Sequence, residues 1–187
     1  MTPSTDPAEA GIMGDRTYTY DQAVVACAMI AQNHPNMNHY VKGLLAIVGN
    51  DGSVPFYVHR ISAFVSRKYY RSGNAAWVYY ALAYYLKKFP QGTYATEAQT
   101  KLLLGLNWIE RFFISNTDDP RYGLYSGGSG RFIDGGTVFE ENYQVYWCAC
   151  EHNMDMWFAL STAVSLGFTQ FAERRKKKKN SIVNKLW

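Results

Sequence analysis

Apolar side chains recur at three- and four-residue intervals over most of this chain, the period of a helix packed along one side. The first such run starts at Thr19 or Asp21 and continues through Val24, Val25, Cys27, Ala28 and Ile30. Asn33-His34-Pro35-Asn36 breaks it. A second run covers residues 38–48, with Tyr40, Val41, Leu44, Leu45 and Val48 on one face, and the turn signal Gly49-Asn50-Asp51-Gly52-Ser53 follows. Residues 54–71 alternate and include an extended piece. A strong helix starts at Ser72-Gly73-Asn74, carries Trp77, Val78, Ala81, Leu82, Tyr85 and Leu86, and ends near Pro90. Another runs from Thr96-Glu97 to about Ser115. Residues 116–136 are polar and glycine-rich and read as a long loop, a kind that is usually functional or disordered. The pattern predicts a helix over residues 142–166 and then a last amphipathic piece.

Helix following helix, with loops of unequal length, predicts an all-α fold: an α/α-hairpin array with at most a small extended patch. At 187 residues the chain is one domain. Residues 1–16 are rich in Pro, Thr, Asp and Gly and read as an arm, residues 17–172 as the helical domain, and residues 173–187 as a basic tail.

Charge sharpens that last division. The net charge is +4, yet residues 173–187 hold seven Lys or Arg and one acid, most of them in Arg174-Arg175-Lys176-Lys177-Lys178-Lys179. The rest of the chain is slightly acidic. Such a run is most often a solvated, mobile segment, and it can also touch anionic lipid, nucleic acid or a partner. The helical part has no second basic stripe and no zinc-finger or RNP pattern, which argues against nucleic acid. The tail ends in a candidate short anchor of Ile182, Val183, Leu186 and Trp187. No apolar run reaches membrane-spanning length and no signal peptide is visible, so the expectation is a soluble protein, cytoplasmic or part of an assembly. Cys27, Cys148 and Cys150 form no CxxC and no disulfide framework and read as reduced side chains.

Candidate chemistry concentrates in Trp147-Cys148-Ala149-Cys150-Glu151-His152-Asn153-Met154-Asp155, where ionisable groups interrupt an apolar, aromatic run. Glu151 and Asp155 are four apart and share a helix face, with His152 and Asp155 three apart. Burying these groups is costly unless they are paired, hydrogen-bonded or engaged with a ligand. A polar network that ties helices together accounts for the cluster equally well. Its spacing matches no strong metal motif, and no metal or other cofactor is expected. Cys150 and His152 diverge on a helix and make no nucleophile pair. Aromatic residues form 16% of the chain, led by 15 Tyr, which suits either a sugar cleft or a Tyr-rich core.

Five segments in order carry a resemblance. Thr19-Tyr20-Asp21-Gln22-Ala23 comes first and Asp51-Gly52-Ser53 second. They are followed by Ser72-Gly73-Asn74-Ala75-Ala76-Trp77-Val78-Tyr79-Tyr80-Ala81-Leu82, Gly123-Leu124-Tyr125-Ser126-Gly127-Gly128 and Glu151-His152-Asn153-Met154-Asp155. Over residues 18–167 this resembles a bacterial group of the six-hairpin glycosidase-like superfamily, whose helices form an α/α toroid. Ala149-Cys150 stands where that group has Ser-Thr, and the chain is short for a full ring. The resemblance therefore implies a partial (α/α)6 toroid, a fragment, or a subunit whose ring is completed by a second copy or another chain.

The resemblance further implies a carbohydrate cleft at one end of the helices. Glycoside hydrolysis needs two carboxyl groups, one protonated acid and one base or nucleophile. Glu151 is the expected acid, Asp21 its partner and Asp155 the alternative partner, with His152 orienting a carboxylate or bonding a sugar hydroxyl. Tyr20, Trp77, Tyr80 and Trp147 are expected to stack on sugar faces, and Arg71, Asn74 and Asn153 to bind hydroxyls or a uronate. Structural roles compete for several of these: Asp21 as a helix cap, Trp77 as core, Gly127-Gly128 as a flexible loop. Two readings follow: a glycoside-hydrolase-like domain acting on or binding a poly- or oligosaccharide, or a non-catalytic structural or binding module of a larger assembly, such as a virion or cell-surface complex.

Overall fold

A computed structural model of the protein describes residues 15–62, 65 and 67–186. Most of the N-terminal arm (residues 1–14) and the Trp187 end of the candidate anchor lie outside the described residues. The described residues include six α-helices: α1 (Thr19–Ala31), α2 (Met37–Ile47), α3 (Ser72–Lys88), α4 (Ala95–Trp108), α5 (Cys150–Ser165) and α6 (Ala172–Lys185). Five strands accompany them: β1 (Arg16–Tyr18), β2 (Tyr57–His59), β3 (Tyr70–Arg71), β4 (Gly128–Ile133) and β5 (Val138–Val145).

The strands form two antiparallel sheets, β1-β2 and β3-β4-β5. The fold is therefore mixed α and β, and the expected all-α toroid is overturned. The reason is local. Residues 142–145, read as the start of a helix, belong with the unassigned residues 138–141 to a strand, and Val138, Phe139, Tyr143 and Val145 are types that favour one. The glycine-rich loop supplies β4, which turns at Asp134–Gly136 and pairs back with β5 from Ile133↔Val138 to Gly128↔Val145. The fifth helix starts only at Cys150. The alternating stretch 54–71 does contain β2 and β3.

α3 is the central helix. It packs against α5, α1 and α4, while α2 lies on α1 and α6 on α5. Its sequence explains the position: Ala75, Ala76, Ala81 and Ala83 let neighbours approach closely, and Val78, Tyr79, Leu82 and Tyr85 fill the space between. Two lysines close the ends of neighbouring helices. Lys88 Nζ donates to the Ala31 carbonyl at the end of α1 (2.9 Å), and Lys101 Nζ to the Val48 carbonyl at the end of α2 (2.7 Å).

The basic segment is no solvated tail in the described structure. Arg174, Lys178, Ser181 and Lys185 fall on one face of α6 and dock on the protein. Arg174 pairs with Glu110 and lies over the Phe113 ring. Ser181 donates to the Tyr122 carbonyl and Lys185 to that of Pro120. Lys178 is fully buried; its Nζ donates to Asn153 Oδ1 and sits 4.4 Å from the Tyr125 ring centre. Burial pushes this amine down from its ordinary 10.5 to about 6.

Candidate functional site

The N-terminal ends of α1, α3 and α5 meet at a cleft of about 240 Å³ lined by Tyr18, Tyr20, Asp21, Phe56, Gly73, Asn74, Glu151 and His152. Each end has a sequence cause. Thr19 opens α1; its amide donates to the Phe56 carbonyl and its hydroxyl to that of Pro55 (2.7 Å). Asn74, buried in the first turn of α3, donates through Nδ2 to the same Phe56 carbonyl (3.3 Å) and to Thr19 Oγ1. Together they pin the 55–56 segment over the start of α1. Asp21 and Glu151 occupy the first turns of α1 and α5, where the exposed helix amides favour negative charge. Asp21 is not the cap residue: Tyr18 holds that position and makes no side-chain cap bond.

His152 is held in one orientation. Its Nδ1 is hydrogen-bonded to Ser72 Oγ at 3.1 Å, and the Trp147 ring lies 5.4 Å from its own. Gly73 provides the space, because a Cβ there would overlap the imidazole. Burial lowers the His152 pKa below 6.5, the Arg71 charge adds to this and the Glu151 charge opposes it, so the ring is neutral at neutral pH. No hydrogen bond of Nε2 is present among the described residues.

Of the sequence candidates, the cleft gathers Tyr20, Asp21, Asn74, Glu151 and His152. Trp147 stands beside it, half exposed against His152, with its carbonyl accepting from the Gly127 amide. Gly127 and Gly128 are accordingly buried and ordered rather than a free loop; Gly128 adopts a φ of 124° that suits glycine. The acidic cluster is not buried as a unit. Glu151 is exposed, and the partly buried carboxyl is that of Asp155, one turn further along.

Asp155 lines a second, more apolar cavity of about 250 Å³ with Trp77, Tyr80 and Phe158. Tyr20 joins the two, its ring 5.7 Å from that of Trp77. Burial, then the charge of Glu151, raises the Asp155 carboxyl to about 7. The Trp77 indole N–H lies near enough to favour the ionised forms of Asp155 and Tyr20 slightly, but it closes a hydrogen bond with neither.

Two candidates are spent on structure. Arg71 donates to the carbonyls of Tyr70, Ser129 and Gly130 and to the Tyr69 hydroxyl, so its guanidinium fastens β3 to β4. Asn153 is fully buried, accepting from the Tyr125 amide (2.8 Å) and donating to the carbonyls of Tyr125 and Ala149. Its position is one to two residues from the cleft pair but on the opposite side of α5. Sequence reasoning missed Tyr18 and Phe56 as lining residues. Their only signal is the antiparallel register Tyr18↔Tyr57, which a three-residue strand does not announce.

No group of three His, Cys, Asp or Glu side chains able to hold a metal ion occurs among the described residues. The three cysteines are free. No helix among the described residues is long and apolar enough to cross a membrane. Comparison with known proteins finds no matching family model, curated protein or solved structure.

Proposed function

We propose that the chain is a carbohydrate-active, glycoside-hydrolase-like protein that takes a segment of a poly- or oligosaccharide into the cleft at the helix N-termini. The observation that supports this reading most is the gathering of Asp21, Asn74, Glu151 and His152 with the rings of Tyr18, Tyr20 and Phe56 from four separated stretches of chain. Aromatic faces pack on the C–H faces of sugars, and carboxylates with a neutral imidazole bond their hydroxyls. In this reading Glu151 protonates the leaving oxygen, Asp21 acts as base or nucleophile, and His152 Nε2 holds a hydroxyl. The ordered motifs shared with the six-hairpin glycosidase-like group support the site, while the architecture differs from a toroid.

A second reading is a non-catalytic binding module that presents this cleft within a larger assembly. The exposure of Glu151 favours it, because a general acid gains its raised pKa from burial. Turnover and binding against a panel of oligosaccharides, with Glu151→Gln beside wild type, decides between them. Cleavage abolished by Glu151→Gln supports the enzyme. Binding without cleavage, weakened by Asp21→Asn, supports the module. Cleavage unchanged in Glu151→Gln would remove the role assigned to that residue, and no binding by either protein would sink the saccharide reading.

A further inference from the structure

The cavity formed by Trp77, Tyr80, Asp155 and Phe158 is unlike the cleft beside it. Its walls are three aromatic rings, and Asp155 supplies the one carboxyl among its lining residues. One oxygen of that carboxyl, Asp155 Oδ2, is buried and has no hydrogen-bond partner. Among the described residues no ion pair includes Asp155. A buried oxygen without a donor is costly to keep. Ring faces around a carboxylate are the surroundings in which organic ammonium groups bind, through the ring quadrupoles and the charge together.

We propose that this cavity holds the ammonium group of an amine-bearing saccharide whose sugar rings lie in the adjoining cleft; the proposal rests on the saccharide reading of that cleft. Three observations carry it. The two cavities are neighbours, with the Tyr20 ring of one against the Trp77 ring of the other, and Glu151 and Asp155 lie one helical turn apart on the same face. The charges of Asp155, Glu151 and Asp21 all reach the Tyr20 hydroxyl and raise its pKa after burial does, so the shared wall sits in a negative field. Among the described residues no Lys or Arg lines either cavity, and the Arg71 guanidinium is committed to β4. This composition rejects uronates and phosphorylated sugars and selects a cation.

A volume of about 250 Å³ suits a ring substituent rather than a peptide helix. Asp155 also lies beyond the first turn of α5, where the helix dipole no longer stabilises its charge, so the bound cation supplies what the helix does not. In the empty cavity burial leaves the carboxyl near 7, and an arriving ammonium ion stabilises its ionised form. The other ionisable groups around it are Glu151 on α5, Tyr20 and Asp21 on α1 with Cys27 behind Tyr80, and Tyr80 and Tyr84 on α3. Lys178 of α6 reaches Asn153 on the far side of α5.

The test is a calorimetric titration of the full chain with a β-linked glucosamine trisaccharide, its fully N-acetylated counterpart and tetramethylammonium chloride. Wild type is compared with Asp155→Asn, Phe158→Ala and Asp21→Asn, each checked for folding by circular dichroism. Phe158 is nearly half exposed, so its removal tests the ring wall even if Asp155→Asn folds poorly. The expected result is a free-amine ligand at least tenfold tighter than the acetylated one. Asp155→Asn and Phe158→Ala should erase that preference while leaving the acetylated affinity in place, and Asp21→Asn should weaken both sugars. Equal affinity for the two sugars, or equal losses in Asp155→Asn, overturns the ammonium site and leaves the saccharide cleft standing. Tetramethylammonium binding with no saccharide binding overturns the saccharide reading and this ligand with it. Self-association that covers Trp77 and Phe158 without ligand binding overturns both.

Discussion

Two residues are held in unusual protonation states, and each predicts a pH dependence. The Lys178 amine, depressed to about 6 by burial, stays neutral in the folded chain where the unfolded chain is charged. Its favourable contribution is complete above 10.5, shrinks as pH falls and is gone below about 6. Lys178→Met should therefore raise stability at pH 7 by about 1–3 kcal/mol and flatten the slope above pH 6, read from urea midpoints. Asn153 Oδ1 keeps its bond from the Tyr125 amide, so the substitution leaves no orphan acceptor. A destabilised variant would mean that the amine's contacts with Asn153 and Tyr125 outweigh its desolvation. Asp155 behaves in the opposite sense. Its carboxyl, raised from 3.8 to about 7, contributes stability that is complete below 3.8 and is lost as pH rises through 7. Asp155→Asn should remove that slope between those values. Gly73 predicts a third effect: Gly73→Ala drives a methyl into the His152 ring, costing about 1–3 kcal/mol for overpacking and displacing the imidazole from Ser72. Nuclear magnetic resonance of the His152 ring reports the displacement directly.

At the scale of elements, Arg71 replaces an expectation about ligand with one about the sheet. Its planar fork reaches several carbonyls that an ammonium cannot span together, so Arg71→Lys should lower stability by about 1–3 kcal/mol and leave saccharide affinity unchanged. A selective loss of affinity would return Arg71 to the cleft. The starts of α1 to α4 were legible because their signals are local: Ser72-Gly73-Asn74 opens α3, and Asn33 to Asn36 separates α1 from α2, both within a residue or two of the reading, whereas α5 begins eight residues later than expected and α6 was read as a tail. β4 and β5 were hidden because pairing is non-local and glycine masks it. Gly128 and Gly130 resemble a flexible loop in sequence, yet Gly128 brings the chain close to the Tyr70 backbone and Gly130 to the Lys68 carbonyl and the Phe139 ring, with a bulge between Ser129 and Arg131. Glu151 and His152 stood out because ionisable groups interrupt an apolar, aromatic run there, whereas Asp21 was singled out through the resemblance. What could not be read was their depth, since exposure of Glu151 and burial of Asn153 depend on which side of α5 faces α3 and which faces α6.

For the whole molecule, the main consequence lies in the last helix. A run of six basic residues looks detachable, and composition alone gives no hint that one of them is among the largest fully buried side chains. The spacing does hold the explanation: positions 174, 178, 181 and 185 repeat every three or four residues and share one side of α6, while Arg175, Lys176, Lys177 and Lys179 are distributed around the others. A docked face can thus be built from polar residues, with long aliphatic stems covering rings, the charged heads of Arg174 and Lys185 meeting a carboxylate and a carbonyl, and the neutral Lys178 amine meeting an amide oxygen. That face closes over Phe113, Tyr122 and Tyr125, and Tyr125 in turn is tied to α5 through Asn153. Deleting residues 172–187 would uncover the Tyr125 ring, leave Glu110 without Arg174 and remove the helix that covers α5. The expected outcome is a loss of several kcal/mol, on the scale of a small domain's whole stability, seen as a lower urea midpoint and the binding of a hydrophobic dye. High salt should change little at the centre of this face, because the buried Lys178 amine is neutral in the folded chain and offers no charge to screen. A truncated chain with an unchanged midpoint would show that α6 is an independent appendage, and the docked face would then need another purpose.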